Sequence, residues 1–157
     1  MALGAVTATI PVAAKWQSGL EFTSYGYYSI GAAVAQNDTI TFTDIIPAGG
    51  VEIIDVELLL PALDTNATPT ATVILGDSND DNRFIDSVYA GWNNTKISHL
   101  KFGPNVASTS SGAIATGSGY RYTAKASLIL KINAAVATAA SSGFVGLAVR
   151  YRCSGTV

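Results

Sequence analysis

Residues 37–60 read NDTITFTDIIPAGGVEIIDVELLL, and this stretch indicates the fold class. Ile40 and Phe42 alternate with threonines, which is the period of a strand with one buried face. The segment Pro47-Ala48-Gly49-Gly50 then breaks the run with residues typical of a turn. Apolar positions resume at Val51, Ile53, Val56, Leu58 and Leu60. The pattern predicts an antiparallel hairpin of strands Thr39–Ile45 and Val51–Leu60, with Val56 and Leu58 facing the core.

Strand-length segments recur along the chain at short spacing, and no helical period is sustained. They cover Val6–Val12, Phe22–Val34, Thr70–Leu75, Arg83–Tyr89, Tyr120–Ala124, Ser127–Ile132 and Phe144–Arg152. Residues 90–118 are loop-like, and Asn133–Ser142 suits a loop between two strands. In the last strand, large apolar residues alternate with Gly146, Ala148, Arg150 and Arg152. An all-β antiparallel sandwich of about eight strands in one domain is therefore predicted.

Charge is scarce in this chain. Charged residues make up 13% of its 157 residues, against about 25% in an ordinary soluble domain. Since charge is depleted at the cores of protein interfaces, much of the surface is predicted to be covered by copies of the same chain or by a partner. The net charge of −2 argues against nucleic acid as a main partner. Lys131 and Asn133 interrupt the apolar residues 127–149, which argues against a membrane span.

The acidic turn Gly76–Arg83, GDSNDDNR, is the densest group of polar side chains. Asp77, Asn79 and Asp81 are its candidate calcium ligands, because Ca²⁺ takes hard oxygen ligands. The spacing does not match an EF-hand loop, so the preferred interpretation is a turn whose Asp and Asn side chains bond nearby backbone N–H groups.

No catalytic constellation is evident. His99 is the only histidine, and no serine lies in a Gly-x-Ser-x-Gly elbow. Asp55 and Glu57 share one strand face, as residues two apart do on any strand, so their spacing carries little information. Cys153 is the only cysteine, which excludes an intrachain disulfide. The sequence predicts neither an enzyme nor a cofactor.

The aromatic residues allow two interpretations. Trp16, Trp92, Tyr25, Tyr27 and Tyr28 would suit a platform that stacks on sugars, but aromatic residues fill cores and interfaces more often. We therefore take Trp16, Tyr25 and Tyr27, together with Arg150 and Arg152 of the last strand, as candidate interface residues.

Short motifs of this chain resemble small virion proteins of tailed bacteriophages. The likeness covers roughly residues 25–152. Its motifs are Asn37-Asp38-Thr39-Ile40, Ile46-Pro47-Ala48-Gly49, Val51–Leu58, Leu63-Asp64, Val73-Ile74-Leu75-Gly76-Asp77, Arg83-Phe84-Ile85 and Gly119-Tyr120-Arg121-Tyr122-Thr123-Ala124.

The resemblance implies a jelly-roll-like β-sandwich at the capsid surface of a virion assembled in the host cytoplasm. It implies a decoration or cement protein that contacts the major capsid protein and forms homo-oligomers, with trimers favoured. Residues 1–20 fall outside the likeness and are predicted to form an N-terminal arm or edge strand ahead of a sandwich domain, residues 21–157. The alternative is a carbohydrate-binding β-sandwich module on a virion or cell surface, followed by a hydrolase on the same scaffold.

Overall fold

A computed structural model describes residues 3–8, 20–89, 98–102 and 119–153. Within these ranges every regular element is a strand, and no helix that could cross a membrane is found. The strands are β1 (Ala5–Thr7), β2 (Glu21–Ile30), β3 (Thr39–Ile46), β4 (Val51–Leu60), β5 (Thr72–Gly76), β6 (Ile85–Tyr89), β7 (Ser98–Phe102), β8 (Arg121–Tyr122), β9 (Ala126–Ile132) and β10 (Gly143–Cys153).

The strands form two sheets that pack face to face. One has the order β1-β3-β9-β5-β6, and the other has the order β2-β10-β4-β7 with β8 attached to β4. Leaving out β1 and β8, each sheet has four strands, and the chain changes sheet at every step except from β5 to β6. This is the strand order of a jelly roll, so the predicted all-β, jelly-roll-like sandwich of about eight strands is confirmed. Only β1, which pairs with β3 in parallel, departs from antiparallel pairing among the described strands.

The predicted hairpin of β3 and β4 is wrong. β3 pairs with β1 and β9, whereas β4 pairs with β10, β7 and β8 in the other sheet. Gly49 and Gly50 have φ values of 110° and 73°, a region of backbone conformation that favours glycine. The turn that they form carries the chain across the sandwich to the other sheet. The reason is burial: after the crossing, Phe42 of β3 enters the core from one sheet and Leu58 of β4 enters it from the other, and both are fully buried.

The apolar row of β4 stays in phase because the strand carries a bulge. Arg150 of β10 lies opposite Asp55, but the next residue, Tyr151, lies opposite Ile53. Ile54 is thus the extra residue of β4, and it shifts the alternation by one position. Val51 and Ile53 before the bulge, and Val56, Leu58 and Leu60 after it, all point into the core, as predicted. Asp55 and Glu57 lie on the opposite side of the strand.

Two segments differ from the sequence prediction. Residues 98–102 form β7, although 90–118 were read as a loop, and His99 lies in this strand opposite Leu59. The strand predicted over Tyr120–Ala124 is reduced to the two residues of β8. The loop predicted between the last two long strands is present, since residues 133–142 contain neither helix nor strand.

The described N-terminal segment lies along the edge of its sheet. The Asp38 carboxylate accepts hydrogen bonds from the backbone N–H groups of Gly4 at 2.9 Å and Ala35 at 2.8 Å. Gly4 has a φ of 68°, and its carbonyl accepts the N–H of Thr39 at 3.0 Å. Asp38 therefore fixes the register between β1 and β3. Trp16 lies outside the described residues.

A buried carboxylate joins the two long loops at one end of the sandwich. Asp64 is fully buried, and its oxygens accept the N–H groups of Asn66, Thr70, Ala71, Ala137 and Thr138. Burial by itself would raise the pKa of Asp64, but the backbone hydrogen bonds outweigh it and hold that pKa well below its usual range. Asp64 thus stabilises the loop 61–71 against the loop 133–142 without a disulfide.

The two faces of β4 generate a first prediction. Leu58→Asp should prevent folding, because an unpaired buried charge costs several kcal/mol, a large part of the total stability of about 5–15 kcal/mol. Leu59→Asp, one residue further on, should fold, because this side chain lies on the outer side of the sheet beside Gly146. Soluble yield and melting temperature test both variants, and a stable Leu58→Asp would mean that the inward face is misassigned.

Asp64 should make the stability of the protein depend on acid pH. Its pKa is lower in the folded than in the unfolded state, so the ionised carboxylate stabilises fully above about pH 4, near the ordinary Asp value, and loses this contribution as pH falls towards the folded value. Asp64→Asn should be less stable than the wild type at pH 7, and the difference should shrink between pH 4 and pH 2. Urea unfolding at several pH values measures this.

Asp81→Asn is the matched control, because the Asp81 carboxylate is 65% exposed and faces Lys131 at 3.7 Å. Removing such a surface charge should change stability by less than about 1 kcal/mol. A pH-independent difference between the wild type and Asp64→Asn would contradict the role assigned to Asp64.

Candidate assembly interface

The outward side of the β2-β10-β4 sheet carries four of the five candidate interface residues. Tyr25 and Tyr27 project from β2, and Arg150 and Arg152 project from β10. We call this surface the outer face; it comprises Thr23, Tyr25, Tyr27, Phe144, Gly146, Ala148, Arg150, Arg152, Glu52, Asp55, Glu57 and Leu59. The structure therefore joins residues that lie more than 100 positions apart in the chain.

One end of the outer face is apolar. Gly146 lies opposite Tyr27 on one side and Leu59 on the other, and a Cβ at Gly146 would approach the Leu59 side chain to 3.4 Å. The absence of a side chain at Gly146 thus lets Leu59 lie over β10. Phe144, Tyr25 and Tyr27 are 63%, 59% and 51% exposed, so these large side chains lie on the surface of the protein and not in its core.

The other end of the outer face is charged but balanced. Arg150 faces Glu21 at 4.0 Å and Asp55 at 3.5 Å, and Arg152 faces Glu52 at 3.5 Å. Arg121 of β8 approaches the second oxygen of Glu52 at 3.0 Å. The basic end expected from the sequence of β10 is therefore neutralised by carboxylates of the neighbouring strands. This pairing lowers the cost of covering the surface, because a partner does not have to desolvate isolated charges.

A shallow depression lies in the middle of the outer face. It measures about 160 Å³ and is lined by Thr23, Tyr25, Asp55, Glu57, Ala148 and Arg150. Small-molecule sites usually measure roughly 300–1,000 Å³. The depression is therefore smaller than an ordinary small-molecule site.

Two apolar residues that were not among the predicted interface residues, Leu59 and Phe144, complete this face. Phe144 stands at the first exposed position of β10, and Leu59 follows the buried Leu58 on β4. Both could have been identified by continuing the alternation along each strand, since Leu59 and Phe144 fall on the side that was assigned to solvent. Trp92, like Trp16, lies outside the described residues.

The acidic turn is a structural cluster around one buried carboxylate. Asp77 Oδ2 accepts a hydrogen bond from the Tyr122 hydroxyl at 2.6 Å and one from Arg83 Nε at 2.8 Å. Asp77 Oδ1 accepts the backbone N–H groups of Asn79 and Asp80 at 2.8 and 3.1 Å. The Arg83 guanidinium also lies 3.8 Å from the centre of the Tyr120 ring. These contacts connect β8 to the turn after β5.

The pKa values of Asp77 and Tyr122 are shifted in opposite directions. Burial would raise the pKa of Asp77, but the bonds from Tyr122, Asn79 and Arg83 outweigh it and lower the pKa below its usual range. Burial and the Asp77 carboxylate together raise the pKa of Tyr122, so this residue remains a donor at physiological pH. The cluster is thus a fixed ion pair with a neutral phenol.

The hydrogen bonds of Asp77 argue against the calcium site that its spacing with Asn79 and Asp81 allowed. Both oxygens of Asp77 already accept two hydrogen bonds each, so a cation would have to displace N–H and O–H donors. Asp81 faces Lys131 instead of Asp77. Within the described part of the chain no group of three or more acidic, His or Cys side chains is arranged to hold a metal. Gly76 is also required here, because a Cβ would collide with the backbone of Asp80 and Asp81.

Two solved structures share this fold over nearly their whole length. A chain of the cyanophage Pam1 capsid asymmetric unit superposes with a TM-score of 0.62 and 23% identity, over 90% of this chain and 92% of that chain. A chain of the capsid of Ralstonia phage GP4 gives a TM-score of 0.59 and 20% identity, over 95% and 92%. At these identities the likeness establishes the fold. Both belong to phage particles, the class to which the sequence motifs pointed.

Neither a scan against protein-family models nor a search of curated proteins found a match.

The buried cluster generates a third prediction. Tyr122→Phe removes one charge-assisted hydrogen bond from Asp77 and should cost about 1.5–3 kcal/mol. Tyr27→Phe is the matched control, because its hydroxyl belongs to a side chain that is 51% exposed, and it should leave stability within about 0.5 kcal/mol. Thermal and urea unfolding measure both. Equal losses in the two variants would mean that the Tyr122 bond contributes nothing specific.

Proposed function

We propose that this protein is a non-enzymatic structural component of a phage virion that decorates or stabilises the capsid shell. The observation that carries the proposal is the jelly roll shared, over nine-tenths of both chains, with capsid chains of two phages. The outer face supports the proposal independently, because the large side chains of Phe144, Tyr25 and Tyr27 are each more than half exposed. Exposed apolar patches are typical of sites that bind other proteins.

The proposed partner of the outer face is the major capsid protein of the same particle. The apolar end of the outer face offers aromatic side chains, which contribute much of the binding energy at protein interfaces, and the charged end beside it is balanced. The protein would act at the surface of the virion, after assembly of the head in the host cytoplasm. Among the described residues, no group of three or more acidic, His or Cys side chains could hold a metal ion.

Self-association is part of the same proposal, and a trimer is the favoured form. A closed ring about a three-fold axis of the shell would present three outer faces at once. Simultaneous contacts multiply weak single affinities by about 10²–10⁴ when the geometry permits. A chain with only 13% charged residues gains solubility in this way, because neighbouring copies cover part of its apolar surface.

Carbohydrate binding is the second candidate. The observation that favours it is a groove of about 480 Å³ beside β8, within the size range of ligand sites and lined by Tyr120, Arg121, Lys125, Asp44 and Ser127 among others. Against it, one face of the Tyr120 ring is already covered by Arg83. Strong retention on a saccharide affinity gel would favour this candidate over the capsid proposal.

The decisive experiment mixes purified protein with heads of the same phage that lack it and images them by electron microscopy. We expect additional density at fixed positions on the shell. The double variant Phe144→Ser/Leu59→Ser should fold and bind at least tenfold more weakly, because each large apolar side chain contributes about 1.5–3 kcal/mol when buried. Both residues lie outside β2, so the strand itself stays unchanged.

Lys125→Ser is the control, since Lys125 is 64% exposed and paired with Asp44 away from the outer face. It should decorate heads like the wild type. Bare heads after mixing with folded wild-type protein would refute the proposed function. Equal binding by the double variant would leave a role on the shell but reject the outer face as the contact.

A further inference from the structure

The edge strand β2 differs from the other edges of the sandwich. Among the described strands it pairs only with β10, so its second side lies at the edge of its sheet. It is ten residues long, whereas the edge strands β1, β6 and β7 have three, five and five. Natural proteins protect sheet edges with short strands, charges, proline or bulges, because free backbone groups pair with other chains.

β2 has few of these protections. Its register with β10 runs from Glu21 to Ile30 without a shift, so no bulge twists the strand away. Glu21 is its only charged residue, and the strand contains no lysine and no proline. The shorter edges are treated differently, because β6 carries Asp86 and β7 carries Lys101. A long edge strand without a bulge, whose one charge lies at its first residue, is suited to accept another strand.

The sequence of β2 is compatible with pairing to itself. Residues 22–30 contain no charge, and Gly26 is their midpoint. An antiparallel pair centred on Gly26 places Tyr25 of one copy opposite Tyr27 of the other, and Thr23 opposite Ser29. Cross-strand aromatic and hydroxyl pairs stabilise sheets, and no like charges face each other in this register. Glu21 falls outside the paired residues 23–29.

We propose that β2 pairs antiparallel with β2 of a second copy, about a two-fold axis through Gly26, and joins their sheets into one. This strand contact is one form of the self-association proposed above and rests on that proposal. Both outer faces then lie on the same side of the joined sheet, with Tyr25 and Tyr27 of the two copies side by side. The contact is two-fold, so it links copies of neighbouring trimers rather than closing the three-fold ring.

Register-specific disulfide formation tests the proposal. Tyr25→Cys and Tyr27→Cys are prepared separately, mixed and exposed to a mild oxidant. Residues directly opposite in an antiparallel pair have Cα atoms about 4.5–5.5 Å apart, which a disulfide can bridge. A cross-linked dimer containing one copy of each variant is expected only in the mixture. Cys153 should not interfere, because it is buried and burial raises the pKa of its thiol.

The outcomes separate the alternatives. A dimer formed by Tyr25→Cys alone would show another register, and no dimer in any sample at the highest soluble concentration would show that β2 does not pair with itself. Protection of the β2 amides from hydrogen exchange only when heads are added would assign the edge to a strand of the shell protein. Each of these results overturns the proposal.

A second variant distinguishes this contact from the proposed function. Ser29→Lys places a lysine at an exposed position of β2 in each copy, and lysines on edge strands hinder pairing. This variant should lower the mass measured by light scattering, with the melting temperature as a check on folding. If this variant no longer pairs yet still decorates heads, the role on the shell stands without the strand contact. If wild-type protein pairs through β2 but leaves heads bare, only the proposed function fails.

Discussion

The fold depends on one apolar core that successive strands line from opposite sheets. Ile40 and Phe42 of β3 and Val56 and Leu58 of β4 belong to this core, although only the four residues 47–50 separate the strands in the chain. All four side chains are at most 2% exposed. Because successive strands other than β5 and β6 cross the core instead of pairing, most strands have sheet neighbours that are far away in the sequence. The jelly-roll order follows from this arrangement, as does the need for long loops at both ends.

Those loops are held by carboxylates. Asp38, Asp64 and Asp77 are buried at three different connections, and each accepts backbone N–H groups that no strand could satisfy there. A neutral acceptor would form weaker bonds, since hydrogen bonds to an ionised group are roughly twice as strong as neutral ones. Three of the chain's eleven acidic residues therefore stabilise connections inside the fold.

The sequence predicted the strands and their faces better than their partners. Alternation along β10 correctly placed Val145, Leu147 and Val149 inward, because the period of a strand is a local property. The spacing of the apolar residues in β4 is consistent with its bulge, because Ile53 and Val56 lie three residues apart, whereas successive inward residues of a regular strand lie two apart. The hairpin was wrong because Pro and Gly make the same turn whether the chain stays in one sheet or crosses to the other. β7 was missed because it is short and stands among residues typical of loops. Asp64 could not be assigned a role, as its partners Ala137 and Thr138 lie more than 70 residues away.

The outer face shows how these local and distant effects combine. Periodicity alone places Tyr25, Tyr27, Arg150 and Arg152 on outward positions, but only the register of β10 with β2 and β4 makes them one surface. That register also decides the electrostatics, because it sets Arg150 opposite Asp55 and Arg152 opposite Glu52. Without the bulge, the register that sets Arg150 opposite Asp55 would set Arg152 opposite Ile53, so only one of the two arginines would lie opposite a carboxylate. A single extra residue, Ile54, thus preserves the core on one side of the sheet and a charge-balanced outer face on the other. A neighbour could cover a surface of this kind without leaving a charge unpaired.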